Sequence, residues 1–219
     1  MPSHYTPGYA YPLIVYLHGD GTNRREVRQV MPHISPQNYI AVGIDGNRSD
    51  DSNGHRWSWD VSAGAVDRLA ERVERAIEGV GRRCQLRADR IILVGRRDGG
   101  SAAIAVAAAM QRSVAAVVSL GGRMPPLRVR NYSDLISRRL RMLWLWGADN
   151  PAIDDATLQT DGRAALAIGA RLDVRVYPTD DEADTAVFAD VNRWIMERVV
   201  LDRSNVVTTE TRLPTASLN

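Results

Sequence analysis

Six short apolar runs, each closed by glycine or proline and separated by longer helical patterns, restrict this chain more than any other feature of its sequence. They are Leu13–Leu17, Tyr39–Ile44, Arg90–Val94, Val114–Leu120, Arg141–Trp146 and Leu172–Tyr177. Most are apolar throughout, with no polar alternation. That is the pattern of strands covered on both faces, and strands alternating with helices point to a parallel sheet with crossover connections. The expected fold class is therefore α/β, a three-layer α/β/α sandwich around a mostly parallel central sheet.

Helical segments fill the intervals. Over Val61–Val80 the apolar residues Val66, Leu69, Val73 and Ile77 recur three and four apart, with arginine and glutamate opposite. Gly99–Met110 is rich in alanine and almost wholly apolar, which predicts a buried helix close to the sheet. Ala156–Ile168 and Asp184–Val200 complete the set. The length of 219 residues suits one domain, read here as 1–201, and the Ser, Thr, Asn and Pro of 202–219 predict a flexible C-terminal tail. The Trp144-Leu145-Trp146 strand and the apolar stripe of the last helix are expected in the core.

Composition excludes several functions. The formal net charge is +2, which gives no basis for nucleic acid or an anionic membrane as a partner. All 28 basic residues are arginine, so a contact with phosphate or carboxylate can be bidentate. Cys84 is the single cysteine, which rules out an internal disulfide and a cysteine-based zinc site within one chain. The first residues carry no secretory signal pattern and no apolar run is long enough to span a bilayer, so a cytoplasmic location is expected. Asp45, Asp50, Asp51 and His55 lack regular ligand spacing and read as a solvated loop, so no metal and no cofactor are expected.

Three stretches together resemble the phospholipase/carboxylesterase branch of the α/β-hydrolases, the group that includes acyl-protein thioesterases. Tyr11-Pro12-Leu13-Ile14-Val15-Tyr16-Leu17-His18-Gly19-Asp20-Gly21 is similar to its first central strand and oxyanion loop. Gly54-His55-Arg56-Trp57-Ser58-Trp59 is similar to the segment before its first long helix. Asp89 to Ser101, with Gly95-Arg96-Arg97-Asp98-Gly99 at its centre, is similar to the strand, nucleophile turn and helix. The similarity continues from Gly147 to Trp194, and the early strands of many relatives are short or missing.

The resemblance implies a serine hydrolase, yet the residues for that chemistry are absent. The nucleophile belongs at the middle of Gly-x-Ser-x-Gly. Arg97 stands there, and a guanidinium neither loses its proton at working pH nor attacks an acyl carbon. Sliding the pattern by one places Asp98 at the centre, as in aspartate-nucleophile relatives, and loses the first glycine. Ser101, inside the next helix, reads as a packing residue. The acid position falls on Asn150, with Asp149 one step earlier as a substitute. The general base must be a histidine late in the chain, but the four histidines are His4, His18, His33 and His55. Glu182 falls at that position.

Several expectations follow. The oxyanion loop survives in outline at Gly19, Asp20 and Asp98, with two carboxylates beside the oxyanion position. His18 reads as a structural core histidine. Arg97 is expected to pair with Glu182, Asp149 or both, and its turn, relieved of catalysis, to relax. Arg56, Arg96 and Arg97 are candidates for binding an anion. The function read from these residues is an esterase-like pseudoenzyme with a binding, scaffold or regulatory role. The alternative is a hydrolase that acts through Asp98 or Glu182. A small anionic ligand, a protein partner and a second copy of the chain (a homodimer) are the partners left open.

Overall fold

The structure, a computed structural model, describes residues 1–110, 114–127, 132–148, 154–178 and 185–201. The chain begins its regular structure with β1 (Tyr11–Leu17), buried at every position. A 3-10 turn (Arg24–Glu26) leads into α1 (Val27–Ile34), then come β2 (Ile40–Ile44), a small hairpin of β3 (Arg48–Ser49) and β4 (Trp57–Ser58), and α2 (Ala63–Gly81). There follow β5 (Leu86–Arg96), α3 (Asp98–Ala109), β6 (Ala116–Leu120), α4 (Tyr132–Arg138), β7 (Arg141–Gly147), α5 (Asp155–Ala167), β8 (Arg171–Tyr177) and α6 (Thr185–Ile195), which continues as a wider turn of helix over Met196–Val200.

Six strands form one sheet in the order β2-β1-β5-β6-β7-β8. Every neighbouring pair is parallel. Strands buried on both faces need helices on both sides, and the chain supplies them. Leu13, Val15 and Leu17 of β1 pack with Leu69, Val73 and Ile77 of α2 and with α3. Ile14 and Tyr16 face Val30 and Ile34 of α1 and Val191, Trp194 and Ile195 of α6. Trp144 and Trp146 are core residues, each 2% exposed.

The expected α/β sandwich is the observed one, and the differences lie at edges and in short elements. β5 runs from Leu86, four residues earlier than its apolar run, because Tyr11 pairs with Leu86 across a register shift in the sheet. α1 was not expected: Pro32 lies inside it, where a proline ordinarily ends a helix, and packing on α6 holds it. α4 also went unforeseen, since only Leu135 of its residues is buried. Among the described residues no helix is long and apolar enough to cross a membrane. The tail, 202–219, lies outside the described residues.

Candidate functional site

β1 leads to β2 on one side, and the chain then returns to place β5 on the other side of β1. The loops leaving the C-terminal ends of β1 and β5 therefore flank the crevice at which open α/β sheets bind ligands. Those loops are Gly19–Asn23 and the turn at Arg97.

The turn is tight and strained. Arg97 has φ 51° and ψ −124°, outside the regions open to an ordinary side chain. The expected relaxation did not occur. Two glycines hold the turn: a Cβ on Gly95 would lie 2.1 Å from the Gly99 carbonyl oxygen, and one on Gly99 would lie 2.2 Å from that of His18. The Arg97 amide donates to the Leu120 carbonyl at 2.7 Å, and the Gly100 amide returns to the Arg97 carbonyl at 2.8 Å. Packing of α3 against β1 and β5 thus imposes the backbone at 97 whatever residue occupies it. Arg97 itself is exposed.

Glu26, which sequence reasoning missed, organises the opposing loop. Its carboxylate accepts from the Tyr16 hydroxyl at 2.9 Å, from the Gly19 amide at 3.1 Å and from the Thr22 hydroxyl. Nε of Arg96 lies 3.0 Å from its Oε1 but is misaligned for a hydrogen bond, so that attraction is coulombic. The Gly19 amide, expected to serve an oxyanion, is therefore committed to Glu26. No local motif marks Glu26, and its burial arises only where β1 and β5 converge.

The Asp20 and Asp98 carboxyls lie close enough to act on each other. Burial first, and the Asp98 carboxyl second, push Asp20 from an ordinary 3.8 up to about 6, against opposing pulls from Arg97 and Arg96. A proton held more tightly in the folded state means that stability falls as pH rises from about 4 to 6 and stays lowered above that. The full difference is worth ~3 kcal/mol, and solvent screening at an exposed residue reduces it to about 1 kcal/mol. Asp20→Asn should therefore raise Tm at pH 8 by about 2–4 °C and change little at pH 4, read by thermal melts across pH.

The three arginines expected as candidates for binding an anion lie around the Gly19–Asn23 loop. The Arg96 guanidinium packs against Gly19, that of Arg56 against Gly21, and Arg97 acts electrostatically on Asp20. Glu26, Asp20 and Asp98 stand among them. A cleft of about 620 Å³ beside the loop is lined by Thr22, Arg25, Glu26, His33, Arg96 and Phe188 among others. Arg25 and His33 carried no signal in the sequence, being brought there by the 3-10 turn and by α1 with its packing on α6.

His18 is wholly buried beneath this loop. Its Nε2 accepts from the Gly46 amide at 2.9 Å, which fixes the Nδ1–H tautomer for the 2.7 Å contact with the Gly19 carbonyl. Burial holds its pKa below the ordinary value. Ser101 accepts from the Arg123 amide at 2.9 Å from within α3. Asp45 and Asp50 are engaged by Arg24 and by Ser58 and Arg48, and Asp51 accepts from the His55 amide. Among the described residues no group of three or more potential ligands is placed to hold a metal. Asp149, Asn150 and Glu182 lie outside the described residues.

No protein-family model matches the sequence, and no curated protein does. Solved structures share its architecture. SOBER1 of Arabidopsis thaliana superposes with a TM-score of 0.69 at 15% identity, covering 86% of this chain and 99% of that one. A carboxylesterase from Mesorhizobium loti gives 0.70 at 17% identity, with 85% and 89% covered. The carboxylesterase of Bacillus cereus gives 0.67 at 14%, with 86% and 89% covered.

Proposed function

We propose that this chain, an α/β-hydrolase by fold, is a catalytically degenerate member of that fold with a binding, scaffold or regulatory role. The observation that carries this reading is Arg97, which occupies the strained turn from which the fold presents its nucleophile. No histidine follows His55 in the sequence, so no imidazole is available at the position of the general base. The Asp20–Asp98 pair beside the turn opposes a developing oxyanion instead of stabilising it.

Arg56, Arg96 and Arg97 suit a small anion such as a carboxylate or phosphate, since each guanidinium offers a planar pair of donors. Glu26, Asp20 and Asp98 offset these charges at neutral pH. Protonation of Asp20 below about 6 leaves the cluster more positive, so anion affinity is greater in acid.

A second reading rests on Asp20. A carboxyl group raised to about 6 beside Asp98 lies in the range useful for general acid–base work on water. It supports hydrolysis through Asp98, with Glu182 as the other candidate carboxylate.

Hydrolysis of a short-chain p-nitrophenyl ester series separates the two. The expected result is no turnover above background in the parent and none in Arg97→Ser alone, for want of a base. Turnover in the parent that disappears in Asp98→Asn or Glu182→Gln would overturn the non-catalytic reading.

A further inference from the structure

β8 is an edge strand with an unusual outer side. It is seven residues long, and Val174 and Val176 are 48% and 56% exposed. The Arg171 amide bonds back to the Leu140 carbonyl, and the Tyr177 carbonyl accepts from the Ala148 amide, both on the β7 side. In a parallel strand each residue's N–H and C=O point the same way, alternating along the chain. Arg171, Asp173, Arg175 and Tyr177 therefore bond towards β7. Leu172, Val174 and Val176 direct their amides and carbonyls outward, where no described residue meets them.

Side chains alternate in the same rhythm. Asp173, Arg175 and Tyr177 face α6, where Asp173 accepts from Trp194 Nε1 at 2.6 Å and Asp190 takes both Arg175 and Tyr177. Leu172 packs into the core on the opposite face, towards which Val174 and Val176 also point. A long strand with open backbone groups and exposed valines is a template for another strand.

We infer that β8 pairs antiparallel with β8 of a second copy, on a twofold axis through Val174, joining the two sheets into one. In this register Val174 meets Val174 of the second copy and Leu172 meets Val176. Every outward amide and carbonyl of the three residues then gains a partner. Asp173 lies opposite Arg175 of the second copy, and Arg171 opposite Tyr177. Opposite charges on facing residues favour the pairing, and like charges disfavour it.

The neighbouring registers that keep the hydrogen bonds fail on charge. Centring on Asp173 sets Asp173 against itself and Arg171 against Arg175. Centring on Arg175 sets Arg175 against itself. A slip by one residue between the strands puts outward groups opposite inward ones and loses the ladder. The register centred on Val174 is thus the one in which Leu172, Val174 and Val176 pair among themselves and the facing charges are opposite.

Sedimentation velocity on the full chain at roughly 100 μM, where a weak interface is populated, is the first test. A dimer is expected, and Val174→Lys, which sets two ammonium groups on the axis, should weaken it about tenfold or more. Val174 is exposed, so a far-UV spectrum identical to the parent's is expected for the variant. Val174→Cys in a Cys84→Ser background adds a second readout. The facing Cα atoms of a hydrogen-bonded antiparallel pair lie about 5.5 Å apart, within disulfide range, and oxidation should crosslink the chains. A parent that stays monomeric, or a dimer indifferent to Val174→Lys that does not crosslink at 174, would overturn the inference.

Discussion

Gly99→Ala should lower stability by about 4 kcal/mol or more, enough to leave little folded protein. The added methyl would sit 2.2 Å from the His18 carbonyl oxygen and 2.5 Å from that of Leu17. Both obstacles are backbone at the end of a fully buried central strand, so neither can rotate aside as a side chain would. Relief requires α3 to move off β1, which opens the core beneath Ala102, Ala103 and Val106. Gly79→Ala is the control. In α2 its methyl would meet only the end of the Arg82 side chain at 3.8 Å, and helix propensity predicts a gain of about 0.5–1 kcal/mol. Urea titration reads both: the midpoint should fall steeply for Gly99→Ala and rise slightly for Gly79→Ala, with m unchanged for the latter. Equal midpoints for the two variants would show that α3 does not depend on this close approach.

Glu26→Ala should cost about 3 kcal/mol and lower Tm by roughly 6–12 °C. The carboxylate is 9% exposed, and its removal leaves the Tyr16 hydroxyl, the Gly19 amide and the Thr22 hydroxyl without their acceptor. Arg96, 23% exposed at its side chain, loses its counter-charge at the same time. A buried donor left unmade costs more than the net value of the bond it had. Glu26→Gln keeps the shape and one acceptor oxygen while removing the charge, so its loss should be smaller. Melting curves of the pair divide the effect into charge and hydrogen bonding. A Glu26→Ala protein that melts with the parent would mean the loop is held without this carboxylate.

The fold was legible in the sequence where the pattern was local. Each of the six runs became a strand of the sheet, because a strand covered on both faces must be apolar throughout, and that requirement is written in consecutive residues. α1 and α4 escaped notice because they are short and have few buried positions. Contacts from distant elements hold them, and propensity alone would not. At the site, the Gly95-x-x-x-Gly99 spacing located the turn, and its strained backbone follows from those glycines packing on neighbouring main chain. The expectation that the strain would relax failed because it considered residue 97 alone, whereas α3, β1 and β6 set its backbone.

The sequence by itself determined the α/β class, the turn at Arg97 and the absence of any late histidine. These depend on residue identity and short-range spacing. Only the tertiary structure decided that Glu26 is the hub of the Gly19–Asn23 loop, that Asp20 meets Asp98, and that Arg56, Arg96 and Arg97 gather there. Those residues come from separate stretches of the chain, Asp20 and Glu26 after β1, Arg56 before α2 and Arg96 to Asp98 at the end of β5, and the first and last stretches meet because the sheet places β1 beside β5. Charge and desolvation act through space, so their consequences depend on a proximity that only the packed sheet creates.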